Sequence, residues 1–224
     1  MIRVSLLPQR LTRWFVFTSV FALAFFVVAG RLDLPMLNAY VGMIAVIFLV
    51  ASLFVDPDLM KERTRRGQTG ADPRRLALIR LLFVAFMALT LLDIGRFHWS
   101  DTVPRSLQVA SLVVAASAMA WTFWAVVVNR YFVPVIRIQA ERGHRVVSEG
   151  PYAWVRHPGY AGNVLAAPAT AVALGSWWAL APALAISLLF VLRTVHEDRF
   201  LRDHLEGYRE YAARVRYRLV PHLW

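Results

Sequence analysis

From His157 to Leu192 the chain carries no Lys, Arg, Asp or Glu, an uncharged run of 36 residues. As one α-helix at about 1.5 Å per residue it would reach ~54 Å, against a bilayer hydrocarbon core of ~30 Å. The run must therefore fold back. Gly175-Ser176 supplies a break and Pro182 suits the early turns of a following helix, so the expectation is a tight hairpin of two shortish helices. Its two polar ends, Arg156-His157 and the segment from Arg193 onward, then emerge on the same side.

Four earlier runs extend the pattern: Trp14 to Gly30, Leu34 to Val55, Leu81 to Leu92 and Ser106 to Val128. The third is short. Extending it back to Leu76 takes in Arg80, which can snorkel to the interface from the end of a tilted helix. With 58% of 224 residues hydrophobic and 17% charged, the chain reads as an all-α, polytopic integral membrane protein of about six helices. It is one domain, residues 1–224, with four membrane helices in 1–128 and a polar, chemistry-bearing region in 129–224, where a cytoplasmic helical extension follows the hairpin.

The net charge of +11 is distributed by side. Of 25 basic residues, 22 fall with Arg3, Arg10 and Arg13, the Lys61–Arg80 cluster, Arg130 to Arg156, and Arg193 to Arg218; Arg31, Arg96 and Arg105 fall opposite. The positive-inside rule places both termini in the cytoplasm, and a bacterial-type inner membrane suits the compact, Arg-rich composition. Basic residues sorted in this way argue against a nucleic-acid partner. No cleavable-signal pattern precedes the first helix, so that span is expected to stay. The absence of Cys excludes disulfides, thiolate metal sites and a Cys nucleophile, and the six His form no HExxH-like pair, so no metal is expected.

Candidate chemistry concentrates in Gly150-Pro-Tyr-Ala-Trp-Val-Arg-His-Pro-Gly-Tyr-Ala-Gly162, where polar donors and helix breakers crowd the mouth of an apolar run. Arg193 and Glu197, four residues apart with Asp198 beside them, share a helix face at the same level. Alone, that pair is equally an i,i+4 salt bridge worth about 0.2–0.5 kcal/mol on a solvated helix. The Asp56–Arg75 loop is accounted for by topology and anionic-lipid attraction. Residues 129–149 are expected to run along the interface before re-entering at Pro151. Small residues after Tyr160 permit close helix approach, Pro168 marks a possible kink, and the eight Trp suit interfacial anchoring.

The Gly150–Gly162 motif, the hairpin, Arg193-x3-Glu-Asp-Arg-Phe-Leu201, Tyr208-x2-Tyr211 and the terminal Leu-Val-Pro221 together resemble isoprenylcysteine carboxyl methyltransferases and their prokaryotic relatives. The resemblance covers roughly Asn129 to Pro221, and Asp56-Pro-Asp-Leu-Met-Lys-Glu-Arg63 is similar to a loop often present in these proteins. It implies a membrane enzyme using S-adenosylmethionine from the cytoplasm and a lipophilic or lipid-linked acceptor from the bilayer, with membrane lipids as surroundings. A soluble Rossmann turn for that cofactor is absent. By position, Gln139, His144, Arg145, Val146, Val147, Tyr152, His157, Pro158, Gly159, Tyr160 and Glu197 would line the cofactor site, with Arg156 and Asp198 as further candidates. Glu197 suits the cofactor's amino group, His157 or main-chain donors its carboxylate, and Tyr152 with Val146-Val147 its adenine.

The same resemblance makes Arg193 the residue facing the acceptor, where it would orient a carboxylate. Asp198 stands where the family commonly has a second Glu. The acceptor-facing helices carry no signature that names the acceptor. Two other readings compete: a nicotinamide-dependent sterol-type membrane reductase, with the Lys61–Arg75 loop holding a phosphate-bearing cofactor, and a non-catalytic membrane lipid-binding scaffold.

Overall fold

The computed structural model describes residues 7–65 and 69–224. Arg3 and Arg66, counted above among the basic residues of one side, lie outside them. Eight α-helices follow in order: α1 (Leu7–Ala29), α2 (Pro35–Phe54), α3 (Pro57–Thr64), α4 (Pro73–Leu92), α5 (Arg105–Val128), α6 (Pro158–Leu174), α7 (Leu180–His204) and α8 (Tyr208–Arg214). The fold is all-helical and polytopic. Prolines at the first positions of α2, α3, α4 and α6 start helices where an N–H would have no partner.

Five described helical stretches are long and apolar enough to cross a membrane: α1, α2, α4 with its continuation to Phe97, α5 and α7. The sixth helix expected from the sequence is α6, which has 17 residues. It spans about 26 Å, just short of a ~30 Å hydrocarbon core. α7 runs unbroken for 25 residues, through Arg193 to His204, so the helical extension expected after the hairpin is continuous with its second helix. Phe15, Val20, Leu23 and Val84 point outward, as a lipid-facing surface requires.

Arginines close the ends of two membrane helices. Arg10 donates to the carbonyls of Ser52 and Leu53 at 2.7 Å, at the end of α2. Arg96 donates to those of Val27 and Val28 at 3.0 and 2.9 Å, at the end of α1. Each cation meets orphan carbonyls at the negative pole of a helix. Arg96 is carried by a π-helical turn, Asp93–Phe97, that continues α4. A Cβ on Gly95 would lie 2.2 Å from the Ala29 carbonyl oxygen, so only glycine lets this turn sit on the end of α1.

The core joins α1, α2, α4, α6 and α7 through Leu37, Tyr40, Phe86, Leu91, Leu174 and Ile186. The most extensive helix packing is α5 on α6. There a Cβ on Gly162 would meet Thr122 Oγ1 at 2.1 Å and the Ala118 carbonyl oxygen at 2.5 Å. At the far end α6 stops at Gly175, in the left-handed region at φ +92°, before α7 starts. Wholly buried Asp93 binds this turn, accepting from the Ser100 and Ser176 hydroxyls at 2.5 Å each.

Pro168 sits inside α6, where its missing N–H leaves the carbonyl four residues earlier, that of Val164, without its usual donor. Ser187 on α7 donates its hydroxyl to that carbonyl at 2.8 Å. A helix defect in apolar surroundings is thus repaired by its neighbour. A double-mutant cycle in detergent or nanodiscs tests this: Ser187→Ala is expected to cost about 1 kcal/mol with Pro168 present. With Pro168→Ala in place, where the helix can satisfy Val164 itself, the loss should largely disappear; equal losses in both backgrounds would refute the repair.

Candidate functional site

Residues 129–157 form no regular element beyond short 3-10 turns at Ala140–Arg142 and Gly150–Ala153, and side chains fix their path. Asn129 Oδ1 accepts from the Tyr131 N–H at 2.9 Å, and Tyr131 donates its hydroxyl to the Gly143 carbonyl at 2.6 Å. Gln139 is wholly buried, donating to the Tyr131 carbonyl at 2.8 Å and accepting from Arg142. The segment is clamped from outside by α3. Arg63 donates to the Phe132 carbonyl at 2.8 Å, and Glu62 meets Arg137 at 2.5 Å, with Glu141 on the same guanidinium at 2.8 Å. The hydrogen bond to Arg137, aided by that charge, holds the Glu141 carboxyl below its ordinary range.

His144 lies against the Tyr131 ring, centroids 4.4 Å apart, and its Nδ1 is placed to accept the Gln139 N–H at 3.3 Å. That bond needs Nδ1 unprotonated. Burial, and then the charges of Arg137 and Arg142, lower the His144 pKa to about 4.

A second centre ties α6, α7, α8 and the C-terminal tail together. Buried Asp198 receives Arg156 through Nε at 2.7 Å and Nη2 at 3.2 Å, and also Arg218 at 3.1 Å, Arg202 at 3.2 Å and the Tyr208 hydroxyl at 3.1 Å. His157 Nε2 is 3.5 Å away. The remaining Arg156 nitrogen donates to the Val215 and Arg216 carbonyls at 2.7 Å each. The tail pairs with the motif directly, the Arg156 and His157 N–H groups donating to Tyr217 and Arg218 carbonyls at 2.9 Å. Burial and the Asp198 charge raise the Tyr208 pKa, keeping it a phenol that can donate.

Arg193 and Glu197 do not pair with each other as an i,i+4 salt bridge. Tyr160 stands between them. Arg193 Nε donates to the Tyr160 hydroxyl at 2.9 Å, and that hydroxyl donates to Glu197 Oε2 at 2.5 Å. Arg193 is 1% exposed; its Nη2 donates to the Pro134 carbonyl, and its Nη1 has no hydrogen-bond partner among the described residues.

These parts enclose a cleft. Of the residues expected to hold a cofactor, His144, Arg145, Val146, Val147, Tyr152, Arg156, His157, Gly159, Tyr160 and Glu197 line it. Gln139 and Pro158 do not: Gln139 spends its amide bracing the loop, and Pro158 opens α6. Asp198 and Arg193 are also off the wall, Asp198 because its oxygens are taken and Arg193 because it lies behind Tyr160. At Gly159 a Cβ would lie 2.5 Å from the Phe132 ring, so the glycine admits that ring to the cleft. The wall also takes in Asn129, Tyr131 to Val133, Val135 to Arg137, Leu201, Leu205, Tyr208 and Tyr211. Of these the Tyr208-x2-Tyr211 spacing was visible beforehand, whereas the aromatic and apolar residues of 129–137 show no period.

Comparison with known proteins now bears on this arrangement. Residues 107–203 match the model of the isoprenylcysteine carboxyl methyltransferase family. A probable protein-S-isoprenylcysteine O-methyltransferase of Oryza sativa subsp. indica is 37% identical over 92 residues, covering 40% of this chain and 48% of the rice protein. Protein-S-isoprenylcysteine O-methyltransferase B of Arabidopsis thaliana is 35% identical over 89 residues, 39% of this chain and 45% of that one. The matched stretch thus spans about half the length of these plant relatives. Over residues 107–203 the chain is therefore similar to the isoprenylcysteine carboxyl methyltransferase family. Its overall fold is similar to that of a eukaryotic intramembrane Ras methyltransferase, at a TM-score of 0.61 and 16% identity over 98% of this chain and 85% of that one.

The matched stretch holds Tyr160, Arg193 and Glu197, while α3 and the tail that brace them lie outside it. Among the described cations of the Lys61–Arg75 loop, Arg63 is engaged on Phe132, Arg65 on Glu62 at 3.7 Å, and Arg75 on Asp72 at 3.8 Å.

The His144 shift predicts a pH dependence. Unfolded, this His takes up a proton near pH 6.5, whereas folded it resists to about 4, so its contribution is full above pH 6.5 and lost as the pH falls to 4. Thermal unfolding at pH 7 and pH 5 should therefore show a larger drop for the natural protein than for His144→Phe. An equal drop in both would exclude His144 as its source.

Proposed function

We propose that this chain is an integral-membrane S-adenosylmethionine-dependent methyltransferase acting on the carboxylate of a lipophilic acceptor, with an isoprenylcysteine-type carboxylate as the acceptor class. The observation that carries this reading is the Arg193–Tyr160–Glu197 array, which links a carboxylate on the cleft wall to a buried guanidinium with one uncommitted edge. A buried cation without a hydrogen-bonded carboxylate is costly, and an anion arriving from the bilayer would relieve that cost. The plant relatives named above act, by name, on protein-S-isoprenylcysteine.

The cleft residues suit the cofactor. Glu197 has one oxygen held by Tyr160, and its other takes no hydrogen bond among the described residues, which leaves it for an ammonium group. Tyr131, Tyr152, Val146 and Val147 offer aromatic and apolar surface for a heterocycle. When bound, S-adenosylmethionine supplies a methyl group activated by a positively charged sulfur. The work left to the chain would be placement: Arg193 would orient the acceptor carboxylate toward that methyl group. An ionised carboxylate needs no general base, and the new ester is neutral, so its hold on Arg193 weakens. Tyr160, bonded to both Arg193 and Glu197, keeps the two ligand sites in register. We place the cleft and both termini on the cytoplasmic side, as the sorting of basic residues requires.

Calorimetric titration of the purified chain in nanodiscs with S-adenosylmethionine tests the reading. Glu197→Gln should weaken binding about 10-fold or more, the worth of one charge-assisted hydrogen bond. Arg193→Lys should leave that affinity within about threefold but lower turnover of an S-prenylated cysteine by about 100-fold, since Lys cannot reproduce the fork. No binding at millimolar cofactor by folded protein would sink the proposal.

A further inference from the structure

Two of the three Arg193 nitrogens have partners, Nε the Tyr160 hydroxyl and Nη2 the Pro134 carbonyl. An incoming carboxylate would therefore meet the Nη1 edge, which has no hydrogen-bond partner among the described residues. That edge faces Asp72. Asp72 Oδ2 lies 3.9 Å from Arg193 Nη1, beyond hydrogen-bond distance, and neither atom has another hydrogen-bond partner among the described residues. Asp72 is 8% exposed and Arg193 is 1% exposed, so this is a buried pair in loose contact. Such a pair stays at the cost of two desolvated charges without the close geometry that would offset it.

Asp72 precedes α4, at the cap position of that helix, but its side chain makes no cap bond. The loop carrying it is pinned to the cleft wall: the Ala71 N–H donates to the Ile136 carbonyl at 2.9 Å, and a Cβ on Gly70 would lie 3.0 Å from that same oxygen. The other oxygen of Asp72, Oδ1, lies 3.8 Å from Arg75, whose side chain is 41% exposed. Asp72 thus stands between a buried guanidinium and a half-exposed one, held closely by neither.

We infer that Asp72 is a displaceable stand-in for the acceptor's carboxylate, neutralising Arg193 while the acceptor site is empty and yielding to the acceptor by turning toward Arg75. This rests on the methyltransferase reading above. The two groups are the same chemically and compete for one edge, so both cannot hold it: two carboxylates on a single Nη1, with Glu197 one residue contact away, would repel. The exchange selects for an anionic acceptor. A neutral lipid entering the same space gains nothing from Arg193 and cannot replace the lost Asp72 charge.

The test measures binding of an N-acetyl-S-prenylcysteine and of its uncharged carboxamide to the full chain in nanodiscs, alongside thermal unfolding without ligand. Asp72→Asn should lower the unfolding temperature yet bind the carboxylate about 10-fold more tightly, with the carboxamide unchanged. A merely structural role would move stability and affinity down together. Arg75→Gln, at a half-exposed position that should not disturb folding, removes the resting place of the displaced carboxylate and should weaken carboxylate binding about threefold. Carboxylate preference in the natural chain that Asp72→Asn leaves unchanged or reduces overturns the stand-in alone. No carboxylate preference in the natural chain overturns the carboxylate-acceptor reading and the stand-in with it, while cofactor binding, scored separately, still reports on methyl donor use.

Discussion

Asp198 is the point on which the C-terminal half of the molecule hangs. A carboxylate removed from water must have its lone pairs filled, and this one is filled from four parts of the chain: Arg156 before α6, Arg202 on its own helix, Tyr208 on α8 and Arg218 in the tail. Three guanidinium groups on one carboxylate leave excess positive charge. The Val215 and Arg216 carbonyls take up part of it, which is why the tail wraps the Arg156 side chain. With Arg156 held, the backbone pairing of 156–157 with 217–218 follows, and the start of α6 has one allowed position. Tyr160, a turn into that helix, is thereby aimed at α7.

The helix itself separates the structural acid from the one left for a ligand. Glu197 and Asp198 are consecutive, so their side chains leave α7 about 100° apart. Asp198 turns into the network of basic residues, whereas Glu197 stays on the face of Arg193, one turn earlier, and reaches the cleft. A buried network of this kind contributes less to net stability than its contacts suggest, because each ion pair first loses its hydration. What it fixes is the relative placement of four segments, and a site that works by alignment depends on that placement.

The spans were legible because a hydrocarbon layer imposes length and apolarity on each helix, and Gly175 marks the break in the long run as expected. Glu197, His157 and Tyr160 were legible as a group because the fold-back returns them to one level. Asp198 was not, since it reads as a neighbour of Glu197 until its partners 20 and 42 positions away are known. Gln139 was placed by the resemblance alone; in the structure its partners are the loop's own carbonyl and Arg142, a pairing no local pattern shows. The charges of the Asp56–Arg75 loop were accounted for by topology and anionic-lipid attraction. Its clamp on the cleft wall joins Arg63 to Phe132 and Glu62 to Arg137, 69 and 75 residues apart, and no local periodicity announces contacts at that range.

That clamp changes what the N-terminal half contributes. Residues 107–203, the stretch that matches the methyltransferase family model, contain Tyr160, Arg193 and Glu197. The braces that set their spacing, α3, the loop at Asp72, α8 and the tail, lie outside it. The array and its braces therefore lie in different parts of the chain. A change in α3 or the loop can move the 129–137 wall, or alter the charge facing Arg193, while leaving the Glu197–Tyr160–Arg193 array untouched. The array sets the distance between Glu197 and Arg193; the braces set which groups face Arg193.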